Sequence, residues 1–188
     1  MVVAGLGNPG VQYVRTRHNA GRMALDVLVD RTSAALKRHR SGCLVAETRI
    51  GDRPAVLAHP VAYMNDSGRP LGALLRWYKA TPDALVVLHD ELDIPFGQVR
   101  VKRAGGIAGH NGLRSVAAHL ATREFGRVRI GISRPRAGRD PVDWVLTEFS
   151  AAERSELPGV LERAADAVES LAGRGWEATM NEFNTRAG

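Results

Sequence analysis

The sequence predicts an α/β fold, a mixed twisted sheet with helices on both faces. Three observations carry this reading. Strand-like and helix-like segments alternate along the chain, and a sheet that receives helices this way is covered on both sides. Leu85 to Leu88 is an unbroken apolar run, as a central strand buried on both faces requires. Leu44 to Ile50 and Ala55 to Ala58 flank Gly51-Asp52-Arg53-Pro54, the signal of a hairpin, so the sheet is mixed rather than purely parallel.

The elements follow in order. Val2 to Gly5 is a short buried strand. Residues 20–39 carry Met23, Leu25, Val27, Leu28, Ala34, Ala35 and Leu36 with charges between them, which predicts one helix beginning near Asn19. The hairpin comes next, then a helix over Ser67 to Ala80 and the strand at Leu85. Gly97 to Lys102 alternates, with Val99 and Val101 on one face and Arg100 and Lys102 on the other. Leu113, Val116, Ala117 and Leu120 have helical spacing, and Val128, Ile130 and Ile132 alternate as a strand. Residues 151–172 predict an amphipathic helix, with a last short helix near Trp176.

The chain has 188 residues, enough for one domain over 1–188 with a full core. No apolar run approaches the ~20 residues that span a bilayer. The N-terminus lacks the basic and apolar regions of a signal peptide. Cys43 is the only cysteine, so no disulfide framework exists within the chain. This fits a reducing compartment. A nucleophilic role for Cys43 has no histidine signature around it, and a small buried thiol is the simpler reading.

The net charge is +6, and it is unevenly placed. Residues 143–182 hold nine acids and three bases, so that segment is −6 and the rest of the chain +12. A basic body with an acidic segment suits a polyanion held on one side, nucleic acid above all. The alternative is an arginine-rich surface that is merely solvated, since 23 of the 26 bases are Arg.

Gly5 to Gly10 reads G-x-G-x-x-G, the outline of a dinucleotide fingerprint. That fold needs a helix starting inside the motif and an acid ending the next strand. Asp26 lies at about the right distance but within the helical stretch, and Pro9 with the residues after it continues the chain as a loop. The fingerprint therefore fails in its context. What the loop does carry is Asn8, Tyr13, Arg17, His18 and Asn19 just beyond a strand end, where α/β folds place chemistry. Histidine is the commonest general base near neutral pH.

Three other loops add polar groups. Residues 62–68 (AYMNDSG) place Tyr63 and Asn65 before a helix, where Asn65 also suits a plain cap. Residues 89–97 (HDELDIPFG) place Asp90, Glu91 and Asp93 after the buried strand, a grouping open to metal binding or to pairing with a histidine. Residues 105–112 (GGIAGHNG) form a glycine-rich turn before His110 and Asn111, suited to a phosphate or to simple capping. A His paired with an Asp and ringed by carboxamides makes a hydrolytic site with no covalent nucleophile. Neither G-x-S-x-G, H-E-x-x-H nor a P-loop is present.

Together, GLGNPG-x-x-Y-x-x-TRHN at 5–19, YMN-x-SG at 63–68, HDELD at 89–93, GHNGLRS at 109–115 and RVRIGI at 127–132 resemble the bacterial peptidyl-tRNA hydrolase family, in the family's order and spacing. The resemblance implies hydrolysis of the ester between a peptide and the 3′ ribose of tRNA. By position it implies His18 as general base, Asp90 as the acid that orients it, and Asn8 as the group that distinguishes N-blocked substrate. It implies that Asn65 and Asn111 bind substrate backbone and polarise the carbonyl, and that Tyr13 and Tyr63 line the groove. Lys102 and Arg129 match positions that meet tRNA phosphate, with Arg100 and Arg103 nearby. It further implies a cytoplasmic monomer that uses no metal or organic cofactor and binds peptidyl-tRNA, not DNA or membrane.

Three departures stand out: a short stretch before the first strand, Ala62 where many members have Thr, and Ala104-Gly105-Gly106 in place of a glycine triplet. Plant organelle splicing factors resemble the same family and use its surface to bind RNA without turnover. Retention of His18, Asp90, Asn8, Asn65 and Asn111 favours the enzyme.

Overall fold

In the computed structural model, which describes residues 1–185, strands and helices alternate as expected. The order is β1 (Val2–Gly5), α1 (Ala20–Arg31), β2 (Lys37–Arg38), β3 (Cys43–Ile50), β4 (Arg53–Pro60), α2 (Gly68–Trp77) and β5 (Leu85–Glu91). Then follow β6 (Val99–Lys102), α3 (Asn111–Leu120), β7 (Gly126–Gly131), α4 (Pro141–Val145) and α5 (Ala151–Asn184). The seven strands form one sheet in the order β2-β3-β4-β1-β5-β7-β6. Its centre is parallel, with β1 between β4 and β5 and β5 beside β7. Its edges are antiparallel, through β2–β3–β4 on one side and β6–β7 on the other.

Alternation along the strands sends side chains to two cores. Val3, Leu57, Val86, Leu88, Val128 and Ile130 pack against α1 and α5. Ala4, Ala58, Leu85 and Val87 pack against α2 and α3. All seven residues of β5 are buried, as its apolar run predicts. Among the described residues no helix is long and apolar enough to cross a membrane.

The predicted helix over 20–39 is shorter in the structure and ends at Arg31. Thr32 turns its hydroxyl back onto the carbonyl of Leu28, and Ser33 adopts a left-handed φ of 50°. Side-chain bonding of this kind competes with helix continuation. Ala34 and Leu36 still pack on the core, but from an extended segment that leads into β2. The hairpin turn is tighter than expected: Ile50 pairs with Arg53, leaving Gly51 and Asp52 at the tip. The two expected C-terminal helices are both present within Ala151–Asn184, parted at Gly175, whose φ of 81° no helix contains.

The opening glycines serve packing. A Cβ on Gly5 would lie 2.6 Å from the Gly21 carbonyl and from Leu25 Cβ, and one on Gly21 would lie 2.1 Å from the Leu88 carbonyl. These absences of side chain let α1 settle directly onto β1 and β5. The motif opens no helix, because α1 begins only at Ala20.

Candidate active site

The parallel strands β4, β1 and β5 end at one edge of the sheet, and the loops leaving them converge there. This is where open α/β sheets bind ligands. A groove of about 610 Å³ lies at that edge. Asn8 reaches it from the loop after β1, Tyr63 and Asn65 from the loop after β4, Asp90 from β5, and His110 and Asn111 from the start of α3. His18 enters from a 3-10 turn over Arg17–Asn19 that leads into α1. Pro141, Val142 and Leu146 on and beside α4 form an apolar side of the groove.

At its floor His18 Nδ1 lies 2.9 and 3.0 Å from the two Asp90 carboxylate oxygens. Asp90 is fully buried and also meets His110 Nε2 at 2.9 Å. The tautomers follow from the network. His110 Nδ1 accepts from the backbone N–H of Gly112 and Leu113 at the α3 N-terminus, so its proton sits on Nε2 and is donated to Asp90. A carboxylate only accepts, so neutral His18 donates from Nδ1 and leaves Nε2 unprotonated on the groove side. Burial of Asp90 opposes its charge, but the two imidazoles outweigh this and hold its carboxyl well below the usual range. Burial likewise opposes a charged His18, yet the Asp90 charge and hydrogen bond prevail and raise its pKa above the ordinary 6.5.

His18, Asp90 and His110 also bring potential metal ligands within 4.8 Å of one another. A ligating ring nitrogen must be unprotonated. In the arrangement just described both nitrogens that face Asp90 carry protons and donate them to its carboxylate.

The carboxamides are presented differently. Asn8 is fixed: its backbone N–H donates to Asn19 Oδ1 at 2.8 Å, and its own Oδ1 accepts from the Met64 N–H at 2.8 Å. That assignment turns the Asn8 NH2 towards the groove. Asn65 is exposed, and Asn111 uses its Oδ1 on Arg114, which leaves its NH2 free. Tyr63 stands exposed on the wall. Tyr13 ends a short turn over Val11–Tyr13 and does not line the groove.

Arg17, next to His18, anchors the segment. Its guanidinium is buried, pairs with both oxygens of Glu153 at 2.8 and 2.7 Å, and stacks 3.8 Å from the Trp144 ring. Glu153 also closes a capping box with Ser150 at the start of α5. Chiefly through the Arg17 hydrogen bonds, the Glu153 carboxyl is held down at about 2, against an ordinary 4.5. At 1.36 kcal/mol per unit this is about 3 kcal/mol of stability. A depressed carboxylate stabilises above its unfolded value and loses that contribution as pH falls through its folded value. Glu153→Gln is therefore expected to lower the unfolding free energy by about 3 kcal/mol at pH 7. The gap to wild type should narrow from pH 4.5 down towards pH 2, as measured by urea titration across that range.

The predicted phosphate-binding cations lie on the far antiparallel edge, outside the groove. Arg100 and Arg129 are cross-strand neighbours on β6 and β7. Arg129 is engaged by Glu91 at 3.1 Å, while Lys102 folds beside Gly105 with no carboxylate partner among the described residues. Arg127, from the same RVRIGI stretch, is 1% exposed. Its Nη groups donate to the carbonyls of Gly105, Gly106 and Arg123, so it shapes the loop that leads to His110.

Sequence reasoning missed His110 as a partner of Asp90 and read it only as a residue at a helix start. The usable signal was a histidine in the capping position itself, whose ring nitrogen is then committed to backbone N–H groups. Cys43 is buried, and burial pushes its thiol up to about 11, so it is inert.

A protein-family model described as peptidyl-tRNA hydrolase matches residues 2–188. A peptidyl-tRNA hydrolase of Frankia casuarinae is 54% identical over 183 residues, covering 97% of this chain and 93% of that relative. One from Mycolicibacterium smegmatis is 51% identical, covering 96% and 95%. The crystal structure of peptidyl-tRNA hydrolase from Acinetobacter baumannii superposes with a TM-score of 0.91 at 34% identity, over 98% of this chain and 94% of that one.

Proposed function

This chain belongs to the peptidyl-tRNA hydrolase family and is an esterase that hydrolyses peptidyl-tRNA, and from that premise we propose that His18 is its general base and Asp90 the group that orients it. The observation that carries this is the buried His18–Asp90 pair, with the far imidazole nitrogen turned to the groove. A water molecule bound at Nε2 gives up a proton to the ring as its oxygen adds to the ester carbonyl. Charge then develops on the carbonyl oxygen, where the NH2 groups of Asn65 and Asn111 can donate. The tetrahedral intermediate collapses by breaking the bond to the ribose oxygen. The proton held on Nε2 passes to that oxygen, which leaves a free tRNA 3′ end and a peptide carboxylic acid that gives up its remaining proton to solvent. Asp90 stabilises the imidazolium formed in between, as the acid of a hydrolytic triad does, and stays ionised.

The fixed NH2 of Asn8 is a donor for the first peptide carbonyl of an N-blocked substrate, which a free amino acid lacks. A groove lined by carboxamides recognises backbone and tolerates varied side chains. Tyr63 adds an aromatic wall; Tyr13 belongs to the approach of the tRNA end. Lys102, with Arg100 and Arg129, meets tRNA phosphate outside the groove. We read the protein as one domain that acts as a cytoplasmic monomer, with no metal or organic cofactor and no DNA or membrane partner. The completeness of the groove within one chain supports the monomer.

Release assays on N-acetyl-aminoacyl-tRNA and on unblocked aminoacyl-tRNA test this. Cleavage of the blocked substrate alone is expected. Equal cleavage of both by wild type and by Asn8→Ala would remove Asn8 from its role. Lys102→Ala is expected to raise KM with little change in kcat. It should also flatten the dependence of log affinity on log salt by about 0.7–0.9, the signature of one lost phosphate contact. Titration of tRNA binding against salt measures this directly.

A further inference from the structure

At the edge of the sheet opposite Lys102 lies a basic and aromatic cluster that the hydrolytic site does not use. Lys37, paired with Val45 on the α2 side of the sheet, and Arg40 in the turn after β2 are exposed, as are Arg76 and Lys79 at the end of α2. None of these four has an ion pair among the described residues. The two groups meet over Trp77, which is 53% exposed. The Arg40 guanidinium lies 5.0 Å from its ring centroid and the His39 ring packs edge-on at 5.4 Å. His39 also stacks on Tyr78, whose hydroxyl donates to Glu47, the carboxylate hydrogen-bonded into the cluster. The turn is fixed in place, because His39 Nδ1 accepts from the Ser41 N–H.

Cations at the α2 C-terminus complement its dipole, which accounts for Arg76 and Lys79. It does not account for Lys37 and Arg40 or for a tryptophan left half in solvent. A rigid aromatic with a guanidinium stacked on it, ringed by unpaired cations, matches how unpaired bases and their phosphates are held. An anionic membrane surface would instead favour apolar side chains beside the tryptophan, and here its ring neighbours are histidine and arginine.

We propose that this edge is a second RNA-binding surface, where an unpaired base stacks on Trp77 and Arg40 while Lys37, Arg76 and Lys79 take the flanking phosphates. Six strand spacings of ~4.8 Å, about 29 Å across the sheet, separate it from Lys102 on β6. The RNA it holds is therefore a single-stranded or loop segment distinct from the one that Lys102 contacts.

The test uses the full chain and a fluorescent single-stranded RNA of about 12 nucleotides bearing no ester, with binding read by anisotropy between about 50 and 200 mM salt. Trp77→Ala is expected to weaken binding about tenfold, and Trp77→Phe to restore most of it. Joint Lys37→Ala, Arg40→Ala and Arg76→Ala should lower the salt slope by about 2. Joint Arg100→Ala and Lys102→Ala should leave a Trp77-dependent component intact. The Trp77 variants and the joint Lys37, Arg40 and Arg76 variant should hydrolyse N-acetyl-aminoacyl-tRNA with unchanged kcat, which reports on the hydrolytic site separately. The proposal is overturned if Trp77→Ala and the joint Lys37, Arg40 and Arg76 variant bind RNA like wild type. It is overturned equally if Arg100 and Lys102 account for all binding, or if Trp77 mediates capture of anionic lipid vesicles but not of RNA.

Discussion

His18→Ala is expected to lower kcat for N-acetyl-aminoacyl-tRNA by on the order of 10²–10⁴-fold while leaving tRNA affinity unchanged. Among the described residues lining the groove, His18 alone backs onto the buried carboxylate with an unprotonated nitrogen that is not already committed, since His110 Nδ1 is taken by the backbone N–H groups of Gly112 and Leu113. Neither Asn8, Asn65 nor Asn111 can accept a proton from water near neutral pH, so no neighbour replaces it. The cations proposed to meet phosphate stand outside the groove and are untouched by the change. Single-turnover release measured beside tRNA binding separates the two effects. A parallel loss of affinity would mean that His18 holds substrate rather than activating water.

Asp90→Asn is expected to cost about 10²–10⁴-fold in kcat as well, for a different reason. Asp90 Oδ1 receives protons from both His18 and His110, and Oδ2 faces His18 Nδ1 at 3.0 Å. In the amide, an NH2 replaces one oxygen. Where it faces His18 Nδ1, it favours the tautomer with that nitrogen unprotonated and the proton on Nε2, which cannot act as a base. The loss of charge also removes what raises the His18 pKa against burial. The acid limb of any residual activity should therefore move to lower pH. A variant that lost rate with its acid limb unmoved would contradict the electrostatic part of this account.

The parts of the molecule legible in its sequence were those set by local pattern. β1, β5 and the helix after residue 110 follow from apolar runs and spacing, and the loops carrying Asn8, Asn65, Asp90 and Asn111 follow from strand ends. The failure of the glycine fingerprint was legible too, since Asp26 lay in a helix. What stayed hidden was set by contacts distant in sequence. The helix stops at Arg31 because hydroxyl side chains intervene, although the apolar spacing runs on to Leu36. Arg127 reads as one more cation in an alternating strand, and only the closure of the 105–106 loop over it makes it internal. His110 reads as a cap, which it is, and its second role needs β5 beside α3. Arg17 reads as one more polar group of the loop after β1 until α5 supplies Glu153 from 136 positions away.

The most direct test of the central claim is the pH dependence of kcat/KM for wild-type enzyme on N-acetyl-aminoacyl-tRNA, from about pH 5 to 9. A base must be unprotonated, so the raised His18 pKa places an acid limb of unit slope with its midpoint above the ordinary 6.5. A profile flat through that range, or one breaking below 6.5, would contradict a histidine base held by the Asp90 carboxylate.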